Sequence, residues 1–230
     1  MAARLNSGRF WLSVSALILL QACAAPGPEL PELAVAEDGV ERQAREELLA
    51  YLGQVAESHA QLAIPWEVAA AHRLSLQPQA TLPVDIGADP YGRMQRLSPA
   101  TARAWRALQG AAQADGIELT VLSGFRSVQR QTHLIAYRLS NGEDIEEIST
   151  RIALPGYSEH HTGCAIDIVE PDQPALSQEF AETEAYRWLQ IHAGRFGFRE
   201  SYPPGNDHGI IDEPWHWYYT GCEAAPLVGP

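Results

Sequence analysis

Beyond residue 38 the apolar positions fall at helical spacing. Ala44, Leu48, Leu52, Val55 and Ala56, joined by His59, share a face, and Asp38-x-x-Glu41 has the form of a capping box, so the pattern predicts an amphipathic helix over 39–60. From Leu76 to Gly92 the periodicity fails: Pro78, Pro83, Pro90, Gly87 and Asp89 interrupt any repeat and predict an irregular connection. Ser98-Pro99 then supplies an N-cap and a first-turn proline, Trp105 and Leu108 share a face, and Gly116 ends that helix. Ile117 to Leu122 alternates and is rich in branched residues, which predicts a strand. Further helices are predicted over Ser127–Leu139 and Ser177–Gly194, and strands over 164–169 and 215–220. This order, without internal repeats, predicts an α+β fold: a small, mainly antiparallel sheet flanked by helices, with an extra N-terminal helix.

The first residues follow another logic. Arg4 and Arg9 precede the apolar run Phe10–Leu20, which is too short to cross a hydrocarbon core of ~30 Å as a helix. Leu20-Gln21-Ala22-Cys23 ends the run and resembles a bacterial lipobox, so residues 1–22 read as a lipoprotein signal peptide and Cys23 as the lipidation site, plain secretion being the alternative. Residues 23–37 are a Pro-rich tether, 38–84 a helical extension, 85–222 the main domain and 223–230 a tail. The expected location is outside the cytoplasm, on a bacterial membrane facing the periplasm or cell surface. All 16 basic residues are Arg, against 29 acids, a formal charge of −13 that becomes −15 once residues 1–22, with two Arg and no acid, are removed. Such a chain is a poor partner for nucleic acid and for anionic lipid, which leaves the lipid anchor as the membrane contact and a monomer as the expected state.

Candidate chemistry is concentrated in Ser158-Glu159-His160-His161-Thr162-Gly163-Cys164-Ala165-Ile166-Asp167 and in Glu213-Pro214-Trp215-His216. Two imidazoles and a carboxylate suit a divalent ion such as Zn²⁺, and His160, Asp167 and His216 would make three ligands with one position open. Asp167 lies in an apolar stretch, where an unpaired carboxylate would be costly to bury. On spacing alone, an exposed strand-end Asp with surface histidines remains the competing reading. Cys164 and Cys222 are an even pair once Cys23 is consumed; they form a disulfide, or Cys164 packs as a small apolar side chain.

Ser158-x-His160-x-x-Gly163-x-Ala165-x-Asp167 with Glu213-x-Trp215-His216 resembles the paired metal motifs of the VanY-type D-alanyl-D-alanine carboxypeptidases, zinc peptidases grouped with the D-Ala-D-Ala dipeptidases. Ser123-Gly124-Phe125-Arg126-Ser127 with Gln131, and Tyr202-Pro203-Pro204-Gly205, resemble two further segments of that family, so the likeness covers roughly residues 85–222. It implies one Zn²⁺ held by His160, Asp167 and His216, with Glu213 as general base. The implied reaction is removal of C-terminal D-alanine from peptidoglycan stem peptides, D,D- or L,D-specific, by attack of metal-bound hydroxide. Arg126, at a strand-to-helix junction, would meet the substrate carboxylate or the oxyanion, with Ser158 and Gln131 lining the pocket. His161 is expected to contact solvent or support the ligands, His208 to lie at the rim, and His59, His72, His133 and His192 to be surface or core residues. An endopeptidase of the same group and a catalytically silent wall-binding lipoprotein are the alternatives.

Overall fold

The computed structural model describes residues 39–171 and 173–222. The predicted signal peptide, Cys23, the tether 23–37, Asp38 and the tail 223–230 lie outside them. Among the described residues no helix is long and apolar enough to cross a membrane. From Gln43 onward the chain forms one compact unit; the preceding unit, Met1–Arg42, contributes to the described residues only the opening turn of the first helix.

That helix, α1 (Gly39–Gln61), exposes Leu48, Leu49 and Leu52 and turns inward only near its end, where Val55 packs with Leu76 and Val128. A short α2 (Trp66–Ala71) follows. The stretch expected to be irregular instead forms a hairpin, β1 (Val84–Ala88) with antiparallel β2 (Met94–Leu97). The breaker residues are its punctuation: Pro83 precedes β1, and Pro90 lies in the turn. Buried Asp89 holds that turn, accepting from the backbone N–H of Tyr91 and Arg93 and pairing with the Arg93 guanidinium at 2.6 Å.

Next come α3 (Pro99–Ala114), N-capped by Ser98, and β3 (Thr120–Ser123). They are followed by α4 (Val128–Ser140), N-capped by Ser127, and α5 (Ile145–Ser149). A 3₁₀ turn (Glu159–Thr162) leads into β4 (Ala165–Val169). The predicted helix over 177–194 is divided: a 3₁₀ turn (Gln178–Glu182) gives way to α6 (Glu184–His192) and a second 3₁₀ turn. Thr183 makes the break, being extended and accepting the Tyr186 N–H on its side chain as a new N-cap. The chain ends in β5 (Phe198–Glu200), a long loop and β6 (His216–Tyr219).

The four longer-range strands form an antiparallel sheet in the order β3-β4-β6-β5. Ile166 and Ile168 of β4 share a core with Trp105 and Leu108 of α3, Leu189 of α6 and Trp217 of β6. Each such side chain contributes roughly 1.5–3 kcal/mol on burial. A second core joins α4 to α5 and α2 through Ile135, Ile148 and Val68. Asp167, alternating with the two isoleucines, faces away from the first core and toward the α4 side.

Candidate metal and active site

Sheet register assembles the site. Asp167 is the partner of Ser123 across β3 and of His216 across β6, so residues far apart in sequence meet on one face. A bulge at Leu122 shifts β3 between Val121 and Ser123 and sets Ser123 opposite Asp167. His160 comes from the 3₁₀ turn before β4, which Gly163 closes at φ 68°. Any side chain at Gly163 would press on the Ser98 backbone nitrogen, so the glycine meets both a left-handed turn and a close approach. Gly124 is equally confined: a Cβ there would strike the Arg96 carbonyl.

The structure brings His160, Asp167 and His216 together, with one ligand atom from each within 4.8 Å of the others. His160 Nε2 lies 3.1 Å from Asp167 Oδ2, and His216 Nδ1 lies 2.9 Å from Asp167 Oδ1. The donor set is shaped for a cation. His160 Nδ1–H donates to the Gly124 carbonyl at 2.7 Å, which fixes the ring and turns Nε2 toward Asp167. Burial holds the His160 ring below its ordinary pKa, and Asp167, despite a burial that opposes charge, is held far below the carboxylate range by both histidines.

Glu159, which no spacing in the sequence marks, belongs to the site. Its Oε2 lies 3.0 Å from His216 Nε2 and accepts from Ser201 Oγ at 2.6 Å, while Arg199 reaches Oε1 at 3.2 Å. His216 thus sits between two carboxylates, which raise its pKa to about 10 against the opposing effect of burial. Its adjacency to His160 was the only sequence signal; its partner stands 57 residues away.

Glu213 lies on the same side, Oε2 3.8 Å from His216 Nδ1. Its backbone N–H donates to the Tyr202 carbonyl and its carbonyl accepts from the His216 N–H, both at 2.9 Å, so the Tyr202 and Glu213 segments are tied together beside the cluster. Burial, reinforced by the charges of Asp167 and Glu159, lifts the Glu213 carboxyl to about 8.

Arg126 is half-buried, and its desolvation lowers its pKa. Nη1 donates to Gln131 Oε1 and Nη2 to Ser123 Oγ, each at 2.9 Å, with Asp167 Oδ2 at 3.7 Å. Gln131 is wholly buried and spends its other end on the Ala153 carbonyl, so its amide holds Arg126 within the protein. Ser158 is buried in the pocket wall. His161 points away from the cluster: Nδ1–H donates to the Arg126 carbonyl at 2.6 Å and Nε2 accepts the Gly156 N–H at 3.0 Å, with burial lowering its pKa to about 4. It clamps the Arg126 segment to the Gly156 turn. His208 packs edge-on to Tyr202 and meets the Arg73 carbonyl. His59 bonds the Pro155 carbonyl, His72 bonds Ser149, His133 is exposed and His192 stacks on Trp188. Cys164 and Cys222 are joined in a disulfide with Cα atoms 6.1 Å apart. The cluster opens into a cavity of about 300 Å³.

A family model described as VanY, D-alanyl-D-alanine carboxypeptidase, matches residues 94–222. The D-alanyl-D-alanine carboxypeptidase of Enterococcus faecalis is 35% identical over 128 residues, covering 51% of this chain and 46% of the relative. The chain therefore spans about half the length of the curated relatives it matches first. Among solved structures, the LdcB LD-carboxypeptidase has a TM-score of 0.58 at 27% identity, over 66% of this chain and 76% of that one. A variant of the vancomycin-resistance D,D-pentapeptidase VanY, in complex with Zn(II), has a TM-score of 0.50 at 28% identity, over 66% and 89%. The family match covers more than half of the chain and takes in every residue of the cluster, and the chain belongs to the VanY family of D-alanyl-D-alanine carboxypeptidases.

Proposed function

We propose that this protein is a zinc-dependent carboxypeptidase that removes the C-terminal D-alanine from peptidoglycan stem peptides. One observation carries the reading: a buried Asp167 between His160 and His216, with Glu213 held beside them in the wall of a cavity. His160 through Nε2, Asp167 through its carboxylate and His216 through Nδ1 would hold one Zn²⁺, the ion named for the VanY relative. When bound, zinc supplies Lewis acidity and makes a water acidic enough to react near neutral pH. Glu213 takes the proton from the attacking water and delivers it to the leaving amine, acting in the carboxylate form that a divalent charge beside it favours. Arg126, fixed by Gln131 and Ser123, meets the substrate's terminal carboxylate, and Ser158 offers a hydroxyl in the same wall.

The relatives include both LD- and D,D-enzymes, so pentapeptide and tetrapeptide are both candidate substrates. The test is zinc content together with D-alanine release from each peptide. About one zinc per chain with release of D-alanine is the expected result. A zinc-free, inactive protein that still binds cell wall would establish the silent alternative, and internal cleavage would establish the endopeptidase. A lipid anchor at Cys23 would hold the enzyme at the membrane as a monomer; Cys23→Ser should then move it from the pelleted to the soluble fraction.

A further inference from the structure

The cavity that opens from the His160–Asp167–His216 cluster continues along α4, where Gln131, Leu134 and Arg138 line it from one helical face. Gln131 holds Arg126; Arg138 stands seven residues on, about 10 Å further along the helix axis. Its guanidinium is held at that far end, because Nη1 bonds both oxygens of Glu143, beyond the C-cap Asn141, at 3.1 Å. Arg151, which also lines the cavity, reaches the same Glu143 at 2.9 Å and Glu147 at 3.2 Å. Two guanidiniums therefore share one carboxylate, while Glu147 is 67% exposed. The Nε of each arginine is buried with no acceptor. Arg138 spends only Nη1 and Arg151 only Nη2 on these glutamates, so Arg138 Nη2 and Arg151 Nη1 remain to donate in the lining of the cavity, in a chain whose formal charge is −13.

We propose that Arg138 and Arg151 form a second carboxylate subsite, which binds an acidic group of the peptide on the N-terminal side of the scissile bond. The proposal rests on the carboxypeptidase reading above. The terminal carboxylate of the released residue lies only one residue beyond the scissile carbonyl, roughly 3.5 Å of extended chain, and stays beside Arg126. A carboxylate on a residue upstream of the cleaved one has the reach to span the remaining distance, past Leu134 and Ile152.

The test uses the full-length, zinc-loaded protein and two matched stem peptides ending in D-alanine, one with a free carboxylate on the residue upstream of the cleavage site and one amidated there. The free acid should show a KM about tenfold lower at similar kcat. Arg138→Gln and Arg151→Gln should each bring the KM of the free acid to that of the amide. Equilibrium binding of the same peptides lacking the last D-alanine should show the same tenfold preference without turnover. Equal affinity of the unmodified protein for acid and amide would overturn the subsite, whether or not D-alanine is released. Preference without any release of D-alanine would uphold the subsite and refute the carboxypeptidase reading. An equal loss on both peptides in the variants, with a lowered Tm, would make the pair a staple between α4 and α5 and would also overturn it.

Discussion

Zinc loading should expel protons, and the number follows from the hydrogen bonds. With no metal bound, His216 directs Nδ1–H to Asp167 and Nε2–H to Glu159, so both nitrogens donate and the ring is an imidazolium with a pKa of about 10. A cation at Nδ1 must displace that proton. At pH 7 the competition amounts to about three pH units, or about 4 kcal/mol against metal at 1.36 kcal/mol per unit. Glu213, lifted by burial to about 8, is also mostly protonated at pH 7, and a divalent charge beside it favours the carboxylate. His160 adds little, since burial holds its ring below its ordinary pKa. The expected release is thus one to about two protons per zinc. The zinc-free protein binds the extra protons, so affinity must rise with pH, by about tenfold per pH unit for each proton released. Calorimetric titration of zinc into the zinc-free protein, in buffers of different ionisation enthalpy, reads the proton count directly. A count near zero with pH-independent affinity would mean that His216 is neutral before zinc arrives, despite its two carboxylates.

Three further outcomes are expected. His216→Ala should lose stoichiometric zinc, whereas Glu213→Gln should retain it and lose on the order of 10²–10⁴-fold in kcat; a Glu213→Gln enzyme that still turns over would mean another group carries the proton. Arg126→Ala should raise KM with little change in kcat, and amidating the substrate's C-terminus should cost the unmodified enzyme a similar factor; a fall in kcat of about 10²-fold at constant KM would assign the guanidinium to the oxyanion instead. Cys222→Ser should destabilise the oxidised protein by up to about 4 kcal/mol, the chain-entropy value for a bridge closing 58 residues, and an unchanged urea midpoint would remove that bridge from the account of stability.

Local signals carried the sequence reading a long way because several elements announce themselves without tertiary help. Ser98-Pro99 and Ser127 are true caps, and the branched run through Ile166 and Ile168 forms β4 within one residue of the expected start. Pattern is silent where a residue's effect depends on what it meets in space. Pro83, Asp89 and Pro90 signal a break equally well in a loop and in a hairpin; pairing of Val84–Ala88 with Met94–Leu97 decides which. Thr183 is an ordinary helix residue by pattern and becomes a cap only because its backbone is extended. Glu159 and Gln131 illustrate the same limit within the site. Neither spacing nor composition could show that Glu159 bears on a ring 57 residues away, or that Gln131 is spent on Arg126 and Ala153.

The metal cluster is a by-product of how the core fixes strand register. Ile166 pairs with Trp217, and both belong to the core shared with α3 and α6; Asp167 and His216, next along their strands, therefore face the other way and face each other. A slip of β6 by one residue would turn His216 into the core and expel Trp217, a loss on the order of 3–5 kcal/mol by analogy with truncating a buried aromatic, besides leaving an imidazole in an apolar setting. The same strand pair is held at its other end. Cys164 precedes β4 and Cys222 follows β6, and their disulfide opposes sliding where the Ala165–Tyr218 pair begins. Register is thus imposed by apolar burial and a covalent bridge, neither of which touches the reacting groups. Asp167 can then be kept buried and charged between two histidines at a point where the sheet has no freedom to relax around it.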